Sequence, residues 1–358
     1  MNKNQDNIRP KVKILVAYHK PFSLLKDDIF VPVHGGRAVA EEKSKDGSAS
    51  QKDLKWLKNN TIGDNVGDNI SNLNRFLNEM TVVYWAWKNQ KTIGNPDFIG
   101  LTHYRRHFIL DDADNYSDKQ WLPESSVYVY EKINDKYKNL VGDPDKLTNL
   151  LKKYDIICSH KYDANNLNDG HTYKSCKERF IVVSKSKGIW YDKMSNIIKK
   201  DFPEYKEELD YLNKHASHYL CNMFIMRKDV FDQYCRFVFH ILLKLFEEFK
   251  KEKHADVWSS RALGFLAEFL TSIFIQKYKK THKAKVKELC LTYLKDEKEI
   301  CTTVKLLDFI PILKRLQCGG KIVYKVFGLP IWKIRHMENN ITTKYYFLGI
   351  PLIKISKK

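Results

Sequence analysis

An apolar run that ends in a cluster of cationic and aromatic residues sets the first limit on the fold of this chain. Residues 97–108 read DFIGLTHYRRHF, so the apolar run is followed at once by His103, Tyr104, Arg105 and Arg106. A short apolar run of this kind predicts a buried strand. Because ligands of open α/β sheets bind beyond the carboxyl ends of the strands, the two arginines are candidate anion ligands, with a solvated loop as the alternative.

Similar apolar runs alternate with amphipathic segments along the chain, which predicts an α/β fold with a sheet flanked by helices. Strands are expected at 12–17, 97–102, 154–158 and 222–226, and helices at about 70–90, 145–153, 173–200, 228–250 and 257–277. The polar stretch at 37–58 contains few apolar residues, and we expect it to be a mobile surface insertion.

Two further groups of polar residues lie where a ligand could meet this sheet. Tyr18, His19 and Lys20 follow the first strand, and they could contact a base or ribose or form an ordinary exit from the strand. Asp68 and Asn69 precede the long helix at 70–90. They could meet a ribose or phosphate at the amino end of that helix, or simply cap it. The residues alone leave both alternatives open.

Charge and cysteine content restrict the partners and the compartment. The 358 residues carry a net charge of +19, which indicates an anionic partner: nucleic acid, a lipid headgroup surface or a phosphorylated substrate. The seven cysteines are scattered and have no CxxC spacing, which argues against a disulfide framework and favours a reducing cytoplasm. No apolar run reaches the roughly 18 residues of a spanning helix, so membrane contact is expected to be peripheral.

Several blocks, in this order, resemble a bacterial family of capsular and exopolysaccharide glycosyltransferases. The blocks are KILVAYHK at 13–20, VPVHGG at 31–36, GDNIS at 67–71, YWAWKN at 84–89, the stretch at 97–108, NMFIM at 222–226 and GFLAE at 264–268. This family was long described only as a domain of unknown function. It includes galactofuranosyltransferases and is related to the GT-A enzymes that use nucleotide sugars.

The resemblance implies a GT-A-like (Rossmann-like) mixed sheet and assigns roles to the candidate residues. The donor, a uridine diphosphate (UDP) sugar, would bind at Tyr18, His19, Lys20, Asp68, Asn69, His103, Tyr104, Arg105 and Arg106. His218 and Asn222 would contact hydroxyl groups of the acceptor, although hydrogen bonding within a loop and an edge strand would explain both residues equally well.

Metal dependence is left open by the sequence. Typical GT-A enzymes hold a divalent cation with an Asp-x-Asp pair near the central strand, whereas this chain has no carboxylate pair there. We expect Arg105 and Arg106 to supply the positive charge instead, since a guanidinium matches phosphate oxygens with a fixed fork of donors. No cofactor is firmly expected. The rival is a Mn²⁺ or Mg²⁺ site at Asp112 and Asp114, which otherwise belong to a solvated acidic turn.

Glu268 is the candidate catalytic base. It lies in an apolar helical segment, where a carboxylate needs a partner or a cleft because burial of an unpaired charge is costly. The resemblance implies that Glu268 deprotonates the acceptor hydroxyl in an inverting transfer. The alternative is a structural ion pair with Arg261 or Arg179. Family members carry an arginine directly after this glutamate, whereas this chain has Phe269.

The C-terminal region reads as a separate unit. The segment VFGLPIWKI at 326–334 reappears as FLGIPLIKI at 347–355, and each copy predicts two strands joined by a Gly-x-Pro turn. We therefore expect a flexible leader at 1–11, a glycosyltransferase domain at 12–300 and a basic β-hairpin module at 301–358. Its cations and aromatic residues suit an anionic membrane surface, with a packed appendage or a dimer contact as the alternative.

Together these patterns favour a cytoplasmic enzyme bound peripherally to the inner face of the cell membrane. It would move a hexose, with galactofuranose as the first choice, from a UDP-sugar to a lipid-linked oligosaccharide in capsule, O-antigen or exopolysaccharide synthesis. One alternative is another donor such as UDP-galactose or UDP-glucose. The other is a basic nucleic-acid-binding protein, which the charge prompts but no recognised motif supports, so no nucleic-acid partner is expected.

Overall fold

The computed structural model describes residues 9–42, 49–111, 127–167, 172–184, 188–219, 221–252, 261–282 and 285–295, and six strands between residues 301 and 356. The chain divides into two compact units at the boundary between Leu294 and Lys295. The first unit is a mixed α/β structure and the second is an antiparallel sheet.

The first unit contains eleven strands within its described residues. They are β1 Val12–Tyr18, β2 Phe30–His34, β3 Ile62–Gly63, β4 Phe98–His103, β5 Val127–Tyr130, β6 Ile156–Ser159, β7 Lys161–Asp163, β8 Ser217–Tyr219, β9 Phe224–Arg227, β10 Val286–Leu289 and β11 Leu291–Leu294. The central sheet has the order β10-β6-β9-β4-β1-β2-β3, and only β9 runs antiparallel to its neighbours. The expected mixed sheet is confirmed, with β4 at its centre.

Helices cover both faces of this sheet. They are α1 Gln51–Asn60, α2 Asn74–Leu77, α3 Met80–Lys88, α4 Asp135–Gly142, α5 Pro144–Lys153, α6 Cys176–Ser184, α7 Ile189–Asp201, α8 Lys206–Lys214, α9 Lys228–Phe249 and α10 Ala262–Thr281. Alternate residues of β1 enter two different cores, with Leu15 in one and Ile14 and Val16 in the other. None of the helices within the described ranges combines the length and apolar character needed to cross a bilayer.

The prediction of a single helix at 70–90 is wrong. A 3₁₀ turn at Ser71–Leu73 leads into α2, which ends where Asn78 adopts a φ of 52°, and α3 then begins at Met80. The break brings the side chain of Asn78 against Gly264 of α10. A side chain at position 264 would not fit, because its Cβ atom would lie only 1.8 Å from Asn78 Nδ2. Asn78 Oδ1 also accepts a hydrogen bond from Arg261 Nε at 3.0 Å. Tertiary packing thus overrides the continuous helical pattern.

The polar stretch at 37–58 also differs from the expected insertion. Helix α1 occupies its second half and begins at an N-cap, where Ser50 Oγ accepts the backbone N–H of Asp53. Leu54 and Leu57 are the buried residues of this helix. Two leucines at helical spacing are enough to anchor a helix that is otherwise polar.

Asp64 joins three segments beneath the carboxyl end of β2. Its side chain is fully buried, and its two carboxylate oxygens accept hydrogen bonds from the backbone N–H groups of Gly36 (2.8 Å) and Arg37 (3.0 Å) and from the hydroxyls of Ser71 and Thr81. Four donors balance the cost of burying the charge. This carboxylate therefore fixes the loop that follows β2 against the start of α3.

The second unit contains six antiparallel strands, each paired with the next along the chain. They are β12 Cys301–Leu306, β13 Ile310–Cys318, β14 Lys321–Val326, β15 Leu329–Met337, β16 Thr342–Phe347 and β17 Ile350–Ser356. The repeated sequence segments fall at the β14–β15 and β16–β17 turns. The expected hairpins are present, but they belong to a larger six-stranded meander.

Replacing Asp64 with alanine should lower the free energy of unfolding by about 3 kcal/mol, because four buried donors lose their acceptor. Urea denaturation followed by tryptophan fluorescence would measure the change. Asp68→Ala is the matched control: Asp68 is exposed, so we expect a change within about 0.5 kcal/mol. Equal effects of the two substitutions would contradict the structural role of Asp64.

Candidate active site

The carboxyl ends of the parallel strands bring most of the predicted residues to one edge of the sheet. Strand β1 ends at Tyr18, β2 at His34 and β4 at His103. Strand β9 is antiparallel, so its first residue, Phe224, pairs with Leu101 at this same edge. The segments that follow β1 and β4 and precede β9 therefore meet there.

Residues 103–106 form a tight turn at the end of β4, which we call the arginine turn. The backbone N–H of Arg106 donates to the carbonyl of His103 at 2.9 Å, and the reverse bond is 3.2 Å long. Arg105 Nε donates to the carbonyl of Leu294 at 2.8 Å. The guanidinium carbons of Arg105 and Arg106 lie 4.4 and 5.2 Å from the ring centre of Tyr293. Strand β11 thus holds both arginines at the edge of the sheet.

The residues that follow β1 collect around the ring of Tyr104. The ring of His19 meets it edge to face at 5.1 Å, and Lys20 Nζ lies 5.9 Å from its centre. His19 is exposed and Lys20 is half-buried, so both remain candidates for contact with a ligand.

Tyr18 does not fit its predicted role. Its side chain is 1% exposed, and its hydroxyl donates to the carbonyl of Ser23 and accepts the backbone N–H of Leu25, both at 3.1 Å. Burial raises the pKa of Tyr18 to about 12, so the phenol stays neutral. Tyr18 therefore supports the loop after β1 and cannot stack on a base.

Asp68 and Asn69 are both tied to neighbouring elements by hydrogen bonds. Asn69 Oδ1 accepts the backbone N–H of Ser71 at 3.2 Å, at the start of the 3₁₀ turn before α2. The carboxylate of Asp68 accepts a hydrogen bond from the hydroxyl of Tyr84 at 3.3 Å. Asn89 Nδ2 donates to the backbone carbonyl of Asp68 at 2.7 Å. These contacts hold the pair against α3; Asp68 is exposed and Asn69 half-buried, and their role in donor binding stays a prediction.

A strained turn at Cys221 and Asn222 connects the arginine turn to α10. Both residues have positive φ, 66° and 50°, which is uncommon for side chains larger than glycine and costs roughly 1–3 kcal/mol each. The Nε2 nitrogen of His103 donates to the carbonyl of Cys221 at 2.7 Å. From the other side, Thr271 Oγ1 donates to Asn222 Oδ1 at 2.8 Å. The turn is thus held by groups from β4 and from α10.

Glu268 lies on α10 beside a buried imidazole and a cation. Its side chain is 23% exposed, and its Oε2 atom lies 3.8 Å from His218 Nε2, too far for a hydrogen bond. Arg179 Nη1 lies 2.7 Å from the same His218 nitrogen and can only donate, so His218 is neutral and accepts there. Of the two ion-pair partners that the sequence suggests, Arg179 acts to lower the pKa of Glu268, and the Nε of Arg261 donates to Asn78.

The ionisation of Glu268 follows from these neighbours. Burial opposes ionisation, whereas the nearby positive charge of Arg179 favours it, and the net effect lowers the pKa of Glu268 below its ordinary value. The pKa of His218 is also lowered, by burial and by Arg179, with Glu268 opposing. At neutral pH the site therefore holds a carboxylate next to an uncharged imidazole.

Both predicted acceptor residues are buried. His218 is fully buried, and the ring of Phe269 packs 5.1 Å from its ring. Asn222 is 1% exposed, its amide nitrogen donates to Glu79 Oε1 (2.7 Å), and its amide oxygen accepts from Thr271 Oγ1. These buried side chains hold other residues of the site in place by hydrogen bonds, which corrects the prediction that they contact the acceptor. Phe269 faces the same core, and Arg179 supplies a cation close to Glu268.

Charged side chains on both sides of the strained turn act on the pKa of the Cys221 thiol. Burial raises it to about 11, Arg106 and Arg179 act to lower it, and Glu268 and Glu79 act to raise it. Two cations and two carboxylates therefore lie within electrostatic reach of one thiol. Sequence reasoning missed Glu79 and Tyr293, because neither stands in a motif and each meets its partner only through the fold.

A metal site is not evident in the part of the chain that the structure describes. No three histidine, cysteine, aspartate or glutamate side chains there lie close enough together to hold an ion. Asp112 and Asp114 fall outside the described residues, so the rival metal site stays a prediction.

An open groove of about 770 Å³ lies away from this edge, on the outer surface of α3, α7 and α9. Trp87, Arg236, Phe239 and Lys244 are among its lining residues. No residue of the arginine turn lines it. The charged edge of the sheet remains the candidate active site, because it combines convergent cations with a carboxylate.

The chain has a fold similar to that of a glycosyltransferase of known structure. The match is to the apo structure of the WbbM bifunctional glycosyltransferase, with a TM-score of 0.66 and 28% sequence identity. It covers 80% of this chain and 46% of the WbbM chain, so this chain corresponds to less than half of that protein.

The chain belongs to the family described as a domain of unknown function, DUF4422, whose profile matches residues 13–280. The matched segment contains the arginine turn, the strained turn and Glu268. A search of curated proteins finds no match.

Replacing Arg179 with methionine should raise the pKa of Glu268, because burial would no longer be opposed by the guanidinium. Because the pKa of Glu268 is lower in the folded protein than in the unfolded chain, ionisation of Glu268 stabilises the fold at pH values above the unfolded-state pKa. This stabilisation is lost as the pH falls through the folded-state pKa of Glu268. The destabilisation caused by Arg179→Met should therefore be larger at pH 7 than at pH 3. Carbon NMR titration of glutamate carboxyls, assigned with Glu268→Gln, would measure the shift.

The control for this experiment is Arg236→Met, which removes an exposed arginine from α9. We expect it to leave the titration of Glu268 unchanged. If Arg236→Met and Arg179→Met shift the pKa of Glu268 equally, the shift comes from the net charge of the protein, and the proximity of Arg179 to Glu268 does not explain it.

Proposed function

We propose that this protein is a glycosyltransferase that moves a hexose from a UDP-sugar to a lipid-linked glycan, with inversion at the anomeric carbon. The observation that carries the proposal is that two arginines anchored at the end of β4 and an ionised carboxylate on α10 lie on either side of the strained turn. The likeness to a glycosyltransferase over 80% of the chain supports the class of reaction. Galactofuranose is our first choice of donor sugar, for synthesis of a capsule, O-antigen or exopolysaccharide.

In this proposal the arginine turn binds the diphosphate of the donor. Arg105 and Arg106 are held against Tyr293, so little side-chain entropy would be lost when phosphate oxygens bind. His19 and Lys20 stand beside Tyr104 and would contact the nucleoside or its phosphates. A bound Mn²⁺ or Mg²⁺ would add positive charge at the same phosphates, but no residue of the described chain is assigned to it.

The transfer itself needs a base and a stabilised leaving group. Glu268 would accept the proton of the acceptor hydroxyl while that oxygen forms a bond to the anomeric carbon. The bond from this carbon to the diphosphate would break, and UDP would leave with the electron pair, stabilised by the guanidinium groups. Because the pKa of Glu268 is lowered, the base would be ionised throughout the neutral range.

The acceptor and the location of the enzyme are the least constrained parts of the proposal. A lipid-linked oligosaccharide would bring the enzyme to the inner face of the cell membrane, where the basic second unit would contact anionic lipid. The closest alternatives keep the reaction and change the donor to UDP-galactose or UDP-glucose. Donor choice depends on contacts to the sugar hydroxyls.

Replacing Arg105 with alanine should weaken UDP binding about tenfold to a hundredfold, the loss expected for hydrogen bonds to a charged group. Isothermal titration calorimetry with EDTA, and then with Mn²⁺, would measure it. Arg236→Ala removes the same charge from the helical surface and should leave the affinity nearly unchanged. An Arg105→Ala protein with wild-type affinity for UDP would exclude the clamp, and binding that requires Mn²⁺ would direct attention to Asp112 and Asp114.

Replacing Glu268 with glutamine should lower kcat about a hundredfold to ten-thousandfold, because an amide cannot accept the proton, while UDP affinity stays nearly unchanged. Radiolabelled transfer from UDP-sugars to a lipid-linked acceptor would measure turnover. Glu79→Gln is the matched comparison, because Glu79 is the other carboxylate near the strained turn. If Glu79→Gln abolishes transfer and Glu268→Gln does not, then Glu79 is the base.

A further inference from the structure

The six strands of the second unit are unusual in their charge. They contain nine lysine and arginine residues and no aspartate or glutamate. A surface with cations of this density and no carboxylate repels itself unless anions are bound. Where the register places these nine residues decides what kind of anion they fit.

Four of the cations stand directly opposite one another across four neighbouring strands. Lys321 of β14 pairs with Arg335 of β15, Arg335 with Lys344 of β16, and Lys344 with Lys354 of β17. Residues that are directly paired lie on the same face of a sheet, so the four form one row. Adjacent strands are about 4.8 Å apart, and like charges at such positions are destabilising.

The row belongs to a wider cationic face. Alternation along the strands adds Lys314 and Lys325, which pair with each other, and Lys333, which pairs with the one aromatic residue that the register places on this face, Tyr346. The opposite face carries mainly apolar and aromatic positions: Leu313, Ile322, Tyr324, Trp332, Ile334, Tyr345, Ile353 and Ile355. One cation, Arg315, also lies there and pairs with Tyr324. The sheet thus separates cations from most of its aromatic residues, which the sequence alone does not reveal.

This separation favours a lipid surface over a nucleic acid. Proteins that bind single-stranded nucleic acid combine cations with aromatic rings, on which the bases stack. Here Trp332 and Tyr345 occupy the face opposite the cationic row. An array of cations spread over five strands, β13 to β17, matches the many separate negative charges of a bilayer surface.

We propose that the face defined by Lys321, Arg335, Lys344 and Lys354 is the membrane-binding surface of this protein and takes the anionic headgroups of a lipid bilayer. This inference rests on the proposed function, in which the acceptor is lipid-linked, and it specifies which surface contacts the membrane.

The test compares two full-length variants that lose the same charge. One carries Lys321→Ser, Arg335→Ser, Lys344→Ser and Lys354→Ser; the other carries Lys52→Ser, Lys55→Ser, Lys58→Ser and Lys200→Ser, all at exposed helical positions of the first unit. Binding to vesicles of phosphatidylglycerol and phosphatidylcholine, and to phosphatidylcholine alone, is measured by co-sedimentation. We expect the wild type to bind only the anionic vesicles. Each cation near the surface strengthens binding about fivefold, so the first variant should lose several hundredfold and the control much less.

Several outcomes would overturn the inference. Equal losses in both variants would mean that net charge alone drives binding. Wild-type vesicle binding by the first variant, with loss of binding to a random oligonucleotide, would assign the face to nucleic acid. A wild type that binds UDP but no anionic vesicle would refute this inference and leave the proposed function standing. Circular dichroism and UDP titration of each variant would establish that it is folded, and the salt dependence of wild-type vesicle binding gives a check that needs no variant.

Discussion

The candidate site depends on the strained turn at Cys221 and Asn222. Its two positive φ angles are unfavourable, so the turn persists only because surrounding groups hold it. His103 holds the carbonyl of Cys221 from the sheet, and Thr271 holds the amide of Asn222 from α10. Without this turn, neither the sheet edge nor the helix would position its charged groups against the other.

The electrostatics of the site follow from the same arrangement. Arg105 and Arg106 would repel each other, but the ring face of Tyr293 attracts both guanidiniums, an interaction worth roughly 0.5–2 kcal/mol for each. Glu268 is kept ionised by a guanidinium that itself donates to a neutral imidazole. The two sides of the site therefore carry opposite charges at neutral pH, which is the combination that diphosphate departure and proton removal require.

Sequence patterns predicted the elements whose burial is set locally. Strands β1 and β4 and helix α9 lie where the apolar periodicity indicated, because one face or both faces of each must be apolar. The patterns failed where a distant residue decides the backbone. The predicted helix at 70–90 breaks at Asn78, whose side chain packs against α10 at Gly264, where no Cβ atom blocks it. Helix α1 was missed because it rests on only two buried leucines.

Sequence patterns alone established the α/β class, the central position of the strand before His103, and the presence of two arginines and a glutamate that could carry chemistry. Which polar residues are available for this chemistry follows from tertiary packing. Tyr18, His218 and Asn222 look like ligands in the sequence, yet the fold buries all three as supports. Burial depends on contacts between residues far apart in the chain. Tyr293 contacts the two arginines although most of the sequence of the first unit lies between them, and no local sequence pattern predicts such a contact.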